Sequence, residues 1–559
     1  LKSSLYDLQP DIETVFTILT HGVIQYKTEC ITLCGQILER FGPWHRGIEI
    51  MGYLRQHHED AENVIHIALW EGKLLRLTGA IGAALDLIQH TISRTPTIQR
   101  RIHVDLHLEL ATLHQHRRDY DLSNQHTQKV IDHCSIEHHP LRWMHAYLLW
   151  GNTLNQQRQY SDALDKLLSI EPFIADKITA EARWIPIELY NVLCALYLEQ
   201  GQYNKAMNAI EKGLWHAKQG DFPKSQSELY FQLSKIKILQ GFHREGLPIA
   251  QKALQITQST GDIYNEARIL LTVGVCHNKM QEYTTAKSVY ERALDCYRSI
   301  GNTRGEALVT INLAQIYPKL GLHSEMSRLF DKAMNLGTKM QDNRILGLVH
   351  SNKANYFASI GDFEPALKAY DQSKSFHATI QHQKGRTIAT SNQAFILWQM
   401  QRFDEAEALF QQSIADSKEL GIINNQVLLH GNYGSMLLEL NRLEDGLQEL
   451  EHCIHLAQRS QYLMAEVIFS SVLARLYSKT AKHEAALALF ERHKNNPLKD
   501  HEQYVLYECN KALCHFDANQ LTKAIEIFDC MKITELDLTQ PTMWRVRDVL
   551  QSTKKSLGL

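Results

Sequence analysis

The chain has 559 residues, with 59 Lys+Arg against 62 Asp+Glu, a formal net charge of -3, 44% apolar residues and 22% charged residues. Apolar content this high with so little net charge excludes an intrinsically disordered chain. The neutral balance supplies no global field for nucleic acid or an acidic membrane surface, and no run of about 18 uncharged apolar residues predicts a membrane-spanning helix. Residues 1–60 read as two or three helices in irregular spacing. Helical periodicity runs from Asp11 to Phe41, a break falls at Phe41-Gly42-Pro43-Trp44, and the segment is expected to be an N-terminal cap or a degenerate repeat. The chain opens on Leu1 without a charged-then-apolar leader, which reads as a fragment or a processed chain.

From residue 61 to 535 one grammar recurs. A small residue follows each turn at Ala84, Ser123, Ala163, Ala206, Gly246, Ala286, Met326 (the exception in size), Ala366, Ala406, Gly446, Ala486 and Ala524. From Ala206 to Ala486 the spacing is 40, and the flanking intervals are 39, 40, 43 and 38. Twelve residues earlier stands a second small residue, such as Cys194, Ser234, Gly274, Ala314 or Ala354. Four residues later stands a residue that is mostly large and apolar, such as Tyr290, Phe330, Tyr370 or Phe410.

Two antiparallel helices approach to about 8–10 Å only where facing side chains are small. The columns therefore predict helical hairpins, with the large residue filling the gap to the neighbouring helix. Gly201, Gly241, Gly321 and Gly361 fall in the hairpin turns, where a left-handed residue ends a helix. Gly220-Asp221, Gly261-Asp262 and Gly301-Asn302 are expected to stop one hairpin and cap the next. Asn495–Asp500 is the most loop-like internal stretch. Residues 536–559 are expected to be a capping helix that starts at Pro541-Thr542-Met543-Trp544 and continues through Val546, Val549 and Leu550.

Signals for catalysis are weak. No GxxxxGK[ST], HExxH or GxSxG run occurs. The 29 histidines are densest at His133, Cys134, His138 and His139, with His126 and His145 nearby. Cys134 and His138 would share a helical face only if the helix continued, and Pro140 argues for a loop. Cys30 and Cys34 read as core thiols, and Cys509 and Cys514 as pointing to different faces. Ten cysteines without a framework spacing suit a reducing compartment, so a cytoplasmic protein is expected. No metal site, cofactor or catalytic residue is predicted, and the chain is not expected to be an enzyme.

These columns resemble the tetratricopeptide repeat family, with Ala314 and Tyr317 or Ala474 and Tyr477 as its helix A pattern and Ala286, Tyr290 and Ala293 as its helix B pattern. That family's usual period is 34 with a closing Pro. The period of 40 without that Pro is similar to the long-helix subclass of kinesin light chains, Leu-Gly-Asn repeat scaffolds and the sensor arms of bacterial STAND-type signalling proteins. The resemblance implies an all-α, right-handed α-solenoid of about twelve repeats whose A helices line a concave groove.

One further column concerns function. Asn312, Asn352, Asn392 and Asn432 repeat at 40, two residues before the small residue of helix A, and Asn510 takes the same place further on. At 100° per residue each shares a face with positions three and seven later. Asn312 thus groups with Gln315 and Lys319, Asn352 with Asn355 and Ser359, Asn392 with Phe395 and Gln399, and Asn432 with Ser435 and Glu439. Arg268, Thr272 and Lys279 continue the stripe one repeat earlier. An amide both donates and accepts, and the column resembles the asparagine ladder with which kinesin-light-chain-type repeats hold an extended peptide. The alternative is that the amides bridge neighbouring helices and set curvature. The expected function is a protein- or peptide-binding scaffold or sensor region of a larger bacterial signalling protein, without nucleic acid or membrane partners; a stand-alone receptor for a short signalling peptide is the alternative. A peptide in this groove is expected to lie with its acidic end toward Arg268, Lys279 and Lys319.

Overall fold

The computed structural model describes residues 31, 32, 35, 44–58, 60–94, 100–179, 182–493, 502–531 and 544–558. Among them there are helices and turns and no strand. The expectations for Asp11–Phe41 (residues 31, 32 and 35 apart), for Cys30 and Cys34, for the break at residues 41–43, for Asn495–Asp500 and for the helix start at residues 541–543 lie outside the described residues. The chain divides into two compact units, 1–196 and 197–559.

The first unit contains α1 (Trp44–His57), α2 (Ala61–Leu77), α3 (Ile81–Arg94), α4 (Arg100–Arg117), α5 (Tyr120–His133), α6 (Pro140–Gln156) and α7 (Tyr160–Leu168). A 3-10 turn, Glu171–Phe173, and the short α8 (Ile174–Lys177) lead into α9 (Trp184–Glu199). Helix α1 packs on α2, so helical pairing begins inside the segment assigned to a cap. The nine-residue α7 and the pieces after it account for the long 43-residue interval between Ala163 and Ala206.

The second unit begins with the end of α9. It continues through α10 (Tyr203–Gln219), α11 (Pro223–Leu239), α12 (His243–Thr260), α13 (Ile263–Lys279), α14 (Tyr283–Ser299), α15 (Thr303–Ile316) and α16 (His323–Lys339). Next come α17 (Asn343–Ser359), α18 (Phe363–Thr379), α19 (Gln383–Gln399), α20 (Phe403–Glu419), α21 (Ile423–Glu439) and α22 (Leu443–Arg459). The chain ends in α23 (Leu463–Lys479), α24 (His483–Arg492), α25 (Glu502–Asp517), α26 (Leu521–Asp529) and α27 (Trp544–Leu557), the last packed on α25. The small residues of both columns all fall on helices, alternating A and B, so the fold is an α-solenoid.

The packing follows from those columns. A Cβ on Gly246 would lie 3.2 Å from the Ser234 carbonyl, and one on Gly446 would lie 3.4 Å from the Gly434 carbonyl. Ser123 Oγ donates to the Ala111 carbonyl at 2.9 Å. The paired small residues therefore face one another at close approach. The large residue fills the gap to the neighbouring helix and also covers its own hairpin. It sits first over the small residue of its own hairpin: a Cβ on Gly274 would lie 2.3 Å from Tyr290, one on Gly151 2.4 Å from Leu167, and one on Gly434 2.7 Å from Leu450. Tyr290 then reaches Val309 and Leu313 of the next A helix within the same core cluster. Tyr290, Tyr370, Phe330 and Phe410 are among the largest fully buried side chains.

Gly201, Gly241, Gly321 and Gly361 are left-handed, as are Gly261 and Gly301 at the hairpin joins. Asp262 accepts from the Asn265 N–H at 3.1 Å and Asn302 from the Gly305 N–H at 2.8 Å, so both cap the next helix. Gly220-Asp221 departs from this register. Asp221 itself is left-handed at φ 50°, and Phe222 precedes α11 without a side-chain cap. The join column runs through 221, 261 and 301, which leaves Gly220 one residue early. Asp342 caps α17 by accepting from the N–H groups of Arg344 and Ile345, a cap the sequence reading did not assign.

Candidate functional site

Successive A helices of the second unit, α11 through α25, pack on one another as well as on their B partners, and no comparably close pairing joins successive B helices among the described residues. Helices that crowd together line the inner side of a curved stack, so the A helices form its inner face. The predicted stripe lies on α13, α15, α17, α19 and α21 of that face.

Much of the stripe is engaged with itself. Arg268 Nη1 lies 3.3 Å from Glu228 Oε2 one repeat earlier and donates to Asn265 Oδ1 at 2.6 Å, with its guanidinium over Phe231. Glu228 thus offsets the positive charge that the sequence reading placed at this end of the groove. Thr272 Oγ1 donates to its own helix at the Arg268 carbonyl, while Lys279 is exposed. Asn312 Nδ2 donates to the Leu308 carbonyl at 3.1 Å and Asn352 Nδ2 to the Leu348 carbonyl at 2.8 Å. Gln315 Nε2 donates to Asn352 Oδ1 at 2.6 Å across adjacent A helices. Asn510 Nδ2 donates to Ser471 Oγ at 3.1 Å in the same manner.

Asn355 and Asn392 meet the hydroxyl of Tyr370, which α18 presents between them. Burial pushes that hydroxyl's pKa up, and the Asn392 hydrogen bond opposes the shift. Phe395 stands edge-on to Trp398 at 5.6 Å, and Trp398 Nε1 donates to Glu439 Oε2 at 2.7 Å. Gln399 ends α19 half-buried. Ser435 Oγ donates to the Gly431 carbonyl. Asn432 is half-buried at the top of the column.

Lys319 departs from the predicted face. Pro318 lacks an N–H, so α15 stops at Ile316 and Tyr317–Leu320 continues as a 3-10 turn. The tighter winding rotates Lys319 away from the direction that seven α-helical steps from Asn312 would give.

The sequence reading missed an apolar column four residues before the asparagines. Leu308, Leu348, Ile388 and Leu428 lie about 40° from the amides on the same helices. Leu308 and Leu348 are half-buried, Ile388 is 40% exposed and Leu428 38%. The signal was available, since this column also repeats at 40. The inner face therefore pairs an amide column with an apolar one.

The histidine-rich segment is a loop. Helix α5 ends at His133, Cys134 turns inward with its thiol pKa raised by burial, and His138 is exposed. His126 instead meets His107 on α4, with their Nδ1 atoms 3.0 Å apart. Cys509 and Cys514 belong to separate core clusters, and burial pushes both thiols up to about 11. No group of three or more His, Cys, Asp or Glu side chains suited to a metal ion forms among the described residues, and no described helix is long and apolar enough to cross a membrane.

Hairpins of two helices stacked by small-residue columns, with the A helices inward, define a helical-repeat scaffold. Residues 225–299 and residues 389–420 each match a family model described as tetratricopeptide repeat, so both segments carry tetratricopeptide repeats. No curated protein matches it. Similar solved structures include a Rap protein complexed with Competence and Sporulation Factor, at 14% identity over 73% of this chain and 99% of that one, TM-score 0.45. Yeast Tom70 is similar at 13% identity over 89% and 97%, TM-score 0.42. The apo quorum sensor NprR from B. thuringiensis is similar at 16% identity over 59% and 99%, TM-score 0.44.

Proposed function

We propose that the second unit is a binding scaffold that holds an extended polypeptide segment along its inner face. The observation that carries this reading is the exposed apolar pair Ile388 and Leu428, which continues Leu308 and Leu348 beside the amide column. An extended chain turns alternate side chains to one side, and those side chains would cover the apolar column. Its backbone would exchange hydrogen bonds with amides such as Asn432 and Gln315. Because several ladder amides already bridge helices, they hold the face in shape while the apolar column supplies most of the contact area. With Arg268 paired to Glu228 and Lys319 turned off the stripe, charge preference at that end rests on Lys279.

Peptides selected from a display library on the wild-type protein test this reading. Ile388→Glu with Leu428→Glu is expected to weaken a selected peptide at least tenfold, whereas Lys332→Glu on the outer B surface leaves affinity unchanged. Equal affinity for wild type and the double variant contradicts it. A sensor role within a larger signalling protein is supported by the sequence resemblance alone, and its test is the reading frame on either side of this chain.

A further inference from the structure

The second unit touches itself at a distance that helical repeats do not require. Asn424 at the start of α21 donates through Nδ2 to the Tyr203 hydroxyl oxygen at 2.9 Å and to the Leu239 carbonyl at 3.3 Å. Gln240 Nε2 donates to Gln461 Oε1 at 2.7 Å. Lys384 Nζ lies 3.6 Å from Glu199 Oε2. The backbones come close as well, since a Cβ on Gly201 would lie 2.3 Å from Ile423 Cγ2, and one on Gly241 3.0 Å from Met464 Cβ. The turns that follow α9 and α11 thus abut the starts of α21 and α23.

We infer that this seam is a latch that closes one turn of the second unit around its inner face. The closed turn admits an extended chain through its open ends and excludes a bulky or folded partner until the latch opens. The inference rests on the inner-face reading above and specifies its partner: a chain terminus or an unfolded segment, not a folded domain.

Three features suit a latch rather than a permanent interface. Its polar contacts are three amide-donated hydrogen bonds and one Lys–Glu pair, which water can replace when the seam parts. The latch is also incompletely satisfied: the Gln240 Oε1 and Asn424 Oδ1 atoms are buried with no hydrogen-bond partner among the described residues, and Gln240 as a whole is 2% exposed. An orphaned acceptor disfavours the closed form and so offsets part of what the three hydrogen bonds contribute. Finally, the seam is imperfectly packed. Beside Gln240 and Gln461 lies an open cleft of about 550 Å³ bordered by Met207, Phe242, Leu463 and Arg492. Gly201 and Gly241 stand where the opposing elements come nearest, and each has positive φ. Any side chain at Gly201 would push Ile423 away.

The test uses the full chain and needs no natural partner. Gln315→Cys places a thiol on the inner face, and exposed Cys530 serves as an internal reference. Modification of the two sites by N-ethylmaleimide and by a maleimide carrying a long polyethylene glycol chain is followed by peptide mapping. With the latch intact, the small reagent should reach both sites, and the large reagent should lag at residue 315 by at least fivefold relative to Cys530. Adding Asn424→Ala and Gln461→Ala should remove that lag without altering the small-reagent rate. Tyr203→Phe, which deletes only the hydroxyl acceptor, should remove part of it and serves if the double variant does not fold. Equal access of the large reagent in the intact protein, or a lag unchanged in both latch variants, overturns the inference. Because binding of the display-selected peptide is measured separately, that outcome leaves the inner-face reading standing, whereas loss of the peptide's dependence on Ile388 and Leu428 would remove the reading and not the latch.

Discussion

Ala481 and Gln401 occupy hairpin turns at φ 61° and 60°, the place that Gly201, Gly241, Gly321 and Gly361 take in other repeats. A side chain in the left-handed region costs about 1–2 kcal/mol, partly offset because glycine loses more freedom on folding. Ala481→Gly is therefore expected to stabilise the chain by about 0.5–1 kcal/mol, read as a higher urea midpoint; a lower midpoint would contradict the turn geometry. Gly274→Ala acts in the opposite direction, because its Cβ would press on the buried Tyr290 ring, and such overpacking costs about 1–3 kcal/mol. Both positions were legible as members of a 40-residue column. Asp221 was not: Gly220 drew the register to itself, although the join column falls on the next residue. Residue type alone does not identify which of two neighbours takes the left-handed conformation when the spacing of 43 just before has shifted the frame.

Helix pairs α4 and α5 give the first unit a pH dependence. Burial and Lys129 hold both imidazoles near 4, against about 6.5 when solvated, and His107 adds to the repulsion on His126. His103 and His133 add to the repulsion on His107, and His114 to that on His126. Between pH 6.5 and 4 the unfolded chain binds protons that the folded unit does not, so stability falls as pH drops through that window and levels off below it. Hydrogen exchange in α4 should therefore accelerate from pH 7 to pH 5, after correction for intrinsic rates, and His126→Gln should flatten the trend; a flat wild-type profile would contradict these buried neutral pairs. The pairing was not visible beforehand because His107 and His126 lie on different helices, and helical periodicity relates residues within one helix only. For the same reason periodicity could group the stripe residues only within each helix, and the cross-helix partners, Glu228 with Arg268 and Tyr370 with Asn355, were not legible. Local sequence did hold one clue that went unused: Pro318 marks where α15 must tighten and where Lys319 leaves the stripe.

At the scale of the second unit, a simple solenoid would confine damage to neighbouring repeats. The latch adds a contact between residues 221 positions apart. Ala366→Leu, which overpacks the α17–α18 hairpin by about 1–3 kcal/mol, should lose protection mainly in α17, α18 and α19. Asn424→Ala should instead loosen the turns around Gly201 and Gly241, far away in sequence and adjacent in space. Hydrogen exchange confined to α21 in that variant would contradict the closed turn. The solenoid itself was legible because packing small residues across a hairpin imposes a period, whereas a single seam between distant turns imposes none.

The central claim is that the inner A-helix face, not the outer B surface, receives an extended chain. Photo-crosslinking residues placed singly at Ile388, Leu428, Arg292 and Lys332, followed by mass spectrometry of the captured segments in an extract of the native host, test it most directly. The account predicts crosslinks from 388 and 428 to a short unstructured segment of one partner, with 292 and 332 silent. Crosslinks that arise only from 292 and 332 would contradict it.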